Sequence, residues 1–475
     1  MNLKNTLKIT ALLLFANSAI FAQDFSVRSG KVFGREIKSV NPKNNTVRCV
    51  SSEYEEYLQE IDPERMNEAE FEAWLAPLVE ETKKKMLSNA NRRSTNEIIT
   101  IPVVVHVVSN RSTNTPSNST SGNGNITDAR VISQINALND DFRRRGAGSN
   151  QHEFGADIEI EFCLAKVDPQ GNLTNGINRV AAPTSSLSES YIQNTLKPDT
   201  QWNPSQYFNI WVVNFLDGDL LGYAQFPTAS SLQGLSGISP TTANTDGVVI
   251  NWKAFGSRQH MPTGTTIGTI SSQFDGGRTT THEVGHALGL RHIWGDTSNC
   301  TVNATDSNND YCLDTPPARN ANQGCPTGID SCPSDNYIDM IENFMDYSDD
   351  ACLNTFTLDQ KARILTVLNN SPRRRSLKTS TVCQENNMSN SSFELIQGLN
   401  LYPNPATDMV TLTISDNVLV PDNYTIFNSL GQTIASKQIS NTQDLSINVS
   451  NLSVGVYFIK VTKDNNSKTL KFIKE

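Results

Sequence analysis

His282-Glu283-Val284-Gly285-His286-Ala287-Leu288-Gly289-Leu290-Arg291-His292 gathers three of the chain's six histidines into one short stretch. Residues four apart on a helix share a face, so His282 and His286 converge on one side. Glu283 stands beside them, where a carboxylate can take the proton of an attacking water. Gly289 can adopt the left-handed conformation that ends a helix, and the turn returns His292 as a third ligand. Three protein ligands leave a fourth position open, which is the pattern of a catalytic rather than a structural zinc. His106, His152 and His260 are scattered and read as ordinary core or surface residues.

Upstream, Ile98–Val108 carries a near-continuous β-branched run through Ile101, Val103, Val104, Val105 and Val107, as a strand buried on both faces does. Thr127 is placed to cap a helix bearing Val131, Ile135, Leu138 and Phe142, which Gly146 ends. Asp157–Lys166 alternates as a half-buried strand, with Ile158, Ile160, Phe162 and Leu164 inward. Asn209–Phe215, Gly222–Phe226 and Gly247–Trp252 read as further short strands. Gly222–Phe226 is expected at the edge of the cleft, where a substrate can add as a strand. Strand, helix, several strands and a late helix predict an α+β (mixed α/β) domain over residues 95–383.

The flanks differ from this core. Lys4 and Lys8 precede an apolar run from Ile9 to Ala22, read as a signal peptide over residues 1–22. Residues 23–94 form a charge-dense, helical pro-segment with Leu58, Phe71, Trp74, Leu75 and Leu78 on helical spacings. It closes on a polar, dibasic junction at Ser88–Ser94 that suits proteolytic nicking. Residues 384–397 form an Asn/Ser-rich linker, and 398–475 carry short alternating strands that predict a small β-sandwich.

The chain bears 39 basic and 49 acidic side chains, for a net charge of −10. An acidic balance without clustered cations argues against nucleic-acid binding. The excess is local: residues 296–359 hold twelve acids against one cation, Arg319. Beyond the leader, no stretch is apolar enough for a transmembrane helix in the mature form.

The histidine motif, followed by Trp294-Gly295-Asp296, Asp314-Thr315-Pro316 and Asn343-Phe344-Met345-Asp346-Tyr347-Ser348, resembles the metzincin metallopeptidases. Within them it is most similar to the pappalysins, over roughly residues 97–370. The resemblance implies a metzincin catalytic domain built on a zinc-binding active-site helix, with Met345 in a tight turn beneath the zinc. It also implies that Tyr347 approaches the metal and stabilises the reacting centre, and that Glu283 is the general base of peptide hydrolysis. Disulfides Cys300–Cys332 and Cys325–Cys352 are implied in the same way, and would restrain the long stretch after the helix. Cys312 is extra to that pattern, and can pair with Cys163, pair with Cys383 or stay free. Cys49 matches a pro-segment cysteine that occupies the open zinc position in related zymogens, and is expected to be a latency switch. The resemblance further implies structural calcium, with Asp310 and the carbonyls of Leu313 and Thr315 at the matching positions, in an oxygen-rich loop of the kind calcium prefers. Relatives that select Arg or Lys place an acid where this chain has Ala351, with Asp349 and Asp350 just upstream, so basic specificity does not carry over from the motif.

Leu401-Tyr402-Pro403-Asn404-Pro405-Ala406, Ser429-Leu430-Gly431-Gln432 and Gly455-Val456-Tyr457-Phe458-Ile459 resemble the type A C-terminal sorting domain of the type IX secretion system. The expectation is a secreted or cell-surface zinc endopeptidase, made as a zymogen and acting on protein or peptide substrates. Its other partner is the secretion machinery. A non-catalytic adhesion protein on the same scaffold is the alternative, and the presence of Glu283 weighs against it.

Overall fold

The computed structural model describes residues 30–90, 98–110, 116, 124–146, 152–229, 243–265, 267, 271–300, 310–333, 337–384, 399–413, 421–463 and 466–475. The expected signal peptide, the Arg92–Arg93 junction and most of the linker lie outside these residues. The chain divides into two compact units between Cys383 and Gln384.

The first unit is organised by β3 (Ile99–Ser109), following a small N-terminal hairpin of β1 (Lys31–Val32) and β2 (Arg35–Glu36). On one side β3 runs parallel to β4 (Ile160–Leu164) and β5 (Ile177–Ala181), and on the other to β6 (Phe208–Val213). β8 (Val248–Asn251) continues the sheet in parallel, and the short β7 (Gly222–Ala224) closes its edge in the opposite direction. The β-branched run has the physical consequence expected of it. Val103, Val105 and Val107 enter the main core, while Val104 and Val108 enter clusters elsewhere.

The helix Asp128–Phe142 starts at Thr127, whose side chain accepts from Arg130 N, and buries Val131, Ile135, Leu138 and Phe142. Against the same face lies Arg278–Ala287, the helix of the histidine motif, with all ten residues buried. It begins after Gly277 at φ 85° and is capped by the Asp350 carboxylate, which accepts from Gly276 N and Arg278 N at 3.0 Å. Its exit is the left-handed turn read from the sequence, with Gly289 at φ 94°. A side chain there would also strike Val367, with a Cβ standing 2.7 Å from its Cγ2.

Two late helices, Leu358–Asn370 and Pro372–Leu377, hold that exit in place. Arg363 donates to Gly289 O at 3.0 Å, and Arg374 to Ala287 O at 2.7 Å. Arg373 and Arg374 both pair with buried Asp246, just before β8. One carboxylate thus ties the late helices to the sheet and, through Arg374, to the end of the histidine helix.

N-terminal helices Ser51–Ile61 and Glu68–Ala90 occupy the expected helical stretch. Leu58, Phe71 and Leu75 are buried as expected, and Trp74 and Leu78 are half-buried.

The second unit holds a three-stranded antiparallel sheet of β9 (Asn400–Tyr402), β10 (Met409–Thr413) and β13 (Ser446–Asn448). A four-stranded antiparallel sheet joins β11 (Asn423–Asn428), β12 (Thr433–Gln438), β14 (Gly455–Lys463) and β15 (Asn466–Lys474). Val410, Leu412, Ile426, Ile447, Ile459 and Phe472 from both sheets share one core.

Replacing Asp246 with Ala leaves two buried guanidinium groups without their carboxylate. The expected loss is about 3–5 kcal/mol in denaturant unfolding. Burial alone would raise the Asp246 carboxyl, but the two arginines hold it well below the usual carboxylate range. Its stabilisation is therefore complete above about pH 4 and is lost as the pH falls further. The Ala variant should lose that acid-dependent component of stability.

Candidate metal centre and active site

The three histidines of the motif meet as the helix and turn require. Their Nε2 atoms stand 3.1 Å (His282–His286), 3.1 Å (His286–His292) and 3.2 Å (His282–His292) apart. Each Nδ1 faces an acceptor instead: Phe344 O at 2.8 Å, Leu290 O at 2.9 Å and Asp296 Oδ1 at 2.7 Å. Those acceptors place the ring protons on Nδ1, so three Nε2 lone pairs point at one another. Such an arrangement is repulsive unless a cation lies between them, so the donor set fits a divalent metal with affinity for imidazole. Burial holds His282 and His286 well below the usual imidazole range, keeping them neutral as ligands must be.

Cys49 completes the cluster. Its sulfur and the three imidazoles each offer a ligand atom within 4.8 Å of the others, in the one such cluster among the described residues. Burial pushes the Cys49 thiol upward and the Glu283 carboxylate adds to the effect. A thiolate there is stable only opposite a positive charge.

Glu283 is fully buried, and that burial raises its carboxyl to about 8. Oε2 accepts from Ser51 Oγ at 2.8 Å and lies 3.4 Å from the Cys49 sulfur. Oε1 has no hydrogen-bond partner. It faces Gly222 on β7, where a Cβ would come within 3.1 Å of it. The edge-strand glycine thus keeps space beside the carboxylate.

The chain from Asn343 to Ser348 passes under the histidines. Met345 is buried with its sulfur against Gly285, where a Cβ would approach to 2.5 Å. The Asn343 and Gln360 side-chain amides bond each other reciprocally at 3.0 and 3.1 Å, anchoring the turn. Tyr347 stands with its ring centroid 5.0 Å from that of His292, and its hydroxyl donates to Cys49 O at 3.1 Å.

Disulfides join Cys300–Cys332 and Cys325–Cys352, the pairs implied by the resemblance, and also Cys163–Cys383. The question left open by the sequence closes with Cys312 buried and free. Asp310, expected at a calcium site, spends both oxygens within its own loop, on Cys312 N and Thr315 Oγ1. Leu313 N donates to Asp359.

Sequence reasoning missed how the N-terminal segment fills the cleft. Val47 pairs in parallel with Leu220, exchanging bonds with Asp219 O and Leu221 N at 2.9 Å. Val50 N donates to Gly222 O, and Ser51 Oγ accepts from Ala224 N. Arg48 reaches the carboxylate that caps the histidine helix, with Nη2 at 2.8 Å from Asp350 Oδ1 and side-chain exposures of 3% and 0%. Ala351 itself is exposed. On the helix Glu68–Ala90, Glu72 receives Arg363 bidentately at 2.6 and 2.7 Å and Arg291, the residue before His292, at 3.2 Å. The adjacency of Arg48 to Cys49 was the one signal in the sequence. Nothing in the pattern marked Glu72, a charge on the buried stripe of its helix.

The pregnancy-associated plasma protein-A family profile matches residues 263–369, and a secretion system C-terminal sorting domain profile matches residues 400–475. An extracellular metalloprotease of Arthroderma otae is 32% identical over 266 residues, 56% of this chain and 76% of that protein. Another, from Verticillium alfalfae, is 34% identical over 266 residues, covering 56% and 74%. Among solved structures, a promirolysin mutant of Tannerella forsythia is 35% identical and covers 70% of this chain and 97% of that one, with a TM-score of 0.50. Site and relatives together define a metalloendopeptidase. The chain belongs to the pregnancy-associated plasma protein-A family, the pappalysins.

Replacing Glu72 with Ala leaves Arg363 buried without its carboxylate, a change that costs several kcal/mol in comparable pairs. Amide exchange over 68–90 is expected to speed up about tenfold or more, with the Arg278–Ala287 helix little changed. Unaltered protection over 68–90 would show that this ion pair does not anchor the segment.

Proposed function

We propose that this chain is the latent form of an exported zinc endopeptidase that cleaves protein substrates, with residues 95–383 as its catalytic domain. The convergence of three buried imidazole nitrogens beside a buried, half-partnered carboxylate carries the reading. His282, His286 and His292 would hold the zinc, with Met345 supporting them from below. Zinc bound there supplies Lewis-acid polarisation of the scissile carbonyl and acidifies the attacking water.

Glu283 accepts the proton of that water and returns it to the leaving amine. Burial makes its carboxylate a stronger base than an exposed glutamate. Once Cys49 O withdraws, the Tyr347 hydroxyl is free to donate to the oxygen on which negative charge develops. A substrate would pair with β7 through its main chain, in the place now taken by Val47–Val50. Gly222 leaves the reacting peptide room beside Glu283.

Residues 23–94 act as the pro-segment, with Cys49 as latency switch in the open zinc position. Arg48 next to it suggests the substrate class. Asp350, one residue upstream of the position other pappalysins use, already binds a guanidinium in a buried pocket, which favours Arg or Lys after the scissile bond. Residues 398–475, read as a small β-sandwich, act as the sorting domain for type IX export, following a linker at 384–397 and a signal peptide at 1–22. Calcium is left out of this reading, because the Asp310 carboxylate accepts from Cys312 N and Thr315 Oγ1 within its own loop.

The test compares processed protein with its Glu283→Ala variant on a denatured protein substrate, with product N-termini sequenced. The variant should turn over at least about a hundredfold more slowly, and wild-type products should begin with Arg or Lys. Equal turnover sinks the peptidase reading, and apolar product N-termini sink the role given to Asp350. Replacing Cys49 with Ala should yield activity before processing, and an unchanged activation time course would rule out the switch.

A further inference from the structure

Behind the edge strand lies a group that the proposed mechanism does not use. Lys197 is fully buried, and its ammonium lies 4.9 Å from the ring centroid of Tyr54, 5.1 Å from Tyr223 and 5.3 Å from Trp211. Its hydrogen bond goes to Gln193 Oε1 at 3.3 Å. The carboxylate that opposes its desolvation, Asp246, is committed to Arg373 and Arg374. Burial lowers the lysine to about 7. Aromatic faces are what offset a desolvated ammonium of this kind.

One of the three rings belongs to the N-terminal segment. Tyr54 is fully buried, packs against Tyr223 with centroids 5.1 Å apart, and donates its hydroxyl to Gln193 Oε1 at 2.6 Å. Gln193 is fixed for that task, because its amide nitrogen donates to the Tyr223 hydroxyl. Phe33, from the same segment, covers Tyr54 and Tyr223 at 4.9 and 5.2 Å. Removing the segment therefore takes away the ring, the phenol and the cover together. It leaves an apolar recess with a cation on its wall and a glutamine oxygen placed to accept a hydroxyl. β7 connects the recess to the cleft. Gly222 faces Glu283, whereas Tyr223, the next residue, faces the recess on the opposite side of the sheet.

We infer that this recess is a subsite of the processed enzyme for the side chain of a tyrosine several residues from the bond cut, bound by Gln193, Lys197, Trp211 and Tyr223. The inference rests on the peptidase reading above. Its chemistry is phenolic rather than merely apolar, because an aliphatic side chain satisfies neither the ammonium nor the glutamine oxygen.

The test uses processed enzyme and long peptides with one arginine and a tyrosine placed at successive positions on either side of it. Matched peptides carry Phe or Ala at the same positions, and a short arginine peptide that cannot reach the recess serves as control. In one register Tyr should exceed Ala in kcat/KM about tenfold, through KM, with Phe between them. Gln193→Met should abolish the difference between Tyr and Phe, read as the ratio of their kcat/KM values within the variant and so independent of its rate on the control peptide. Tyr and Ala cut equally in every register, with the control still cut, overturns the subsite, as does a Tyr advantage over Phe that survives Gln193→Met. A control peptide left uncut while denatured protein is still cleaved refutes the arginine preference given to Asp350, and neither being cut refutes the peptidase reading and the subsite with it.

Discussion

The imidazoles of His282, His286 and His292 donate outward from Nδ1 and turn their Nε2 lone pairs toward one point. Carbonyl and carboxylate oxygens enforce that orientation: Phe344 O from the turn below, Leu290 O from the helix exit and Asp296 just beyond. Ligands fixed this way need no reorganisation to receive a cation, at the cost of mutual repulsion until they do. Much of the first unit serves to hold those three acceptors. Arg363 and Arg374 grip the helix exit, Asp246 grips Arg374, and the Asn343–Gln360 amide pair steadies the turn that supplies Phe344 O.

The N-terminal segment meets every feature of this site with a matching group. Cys49 faces the imidazoles, Ser51 satisfies one oxygen of Glu283, and Arg48 neutralises Asp350. Val47 and Val50 pair with the edge strand, Tyr347 donates to Cys49 O, and Tyr54 fills the recess behind the rim. Glu72 adds a further anchor through Arg363.

The site was legible in part because its decisive residues are close in sequence. Helical period brings His282 and His286 together, and one glycine turn returns His292, so local geometry suffices. The β-branched strand, the capped helix and the buried stripes were legible for the same reason. Asp350 was harder. Its position relative to a cysteine gave no clear meaning, and its role appears only where the start of the histidine helix and Arg48 reach it from opposite directions. Glu72 and Lys197 were not legible at all. A buried charge on a helix looks like any surface charge until its partner, hundreds of residues away or made of aromatic faces, is known.

Sequence alone determined the motif, the elements and the order in which they come, because hydrophobic period, caps and glycine turns act over a few residues. The disulfide of Cys163 with Cys383, the free state of Cys312 and the seating of Arg48 on Asp350 were decided by tertiary structure. So were the occupied cleft and the recess under Tyr54. Each of these joins residues far apart in the chain, and which distant partners meet depends on the packed sheet and helices, not on any local pattern.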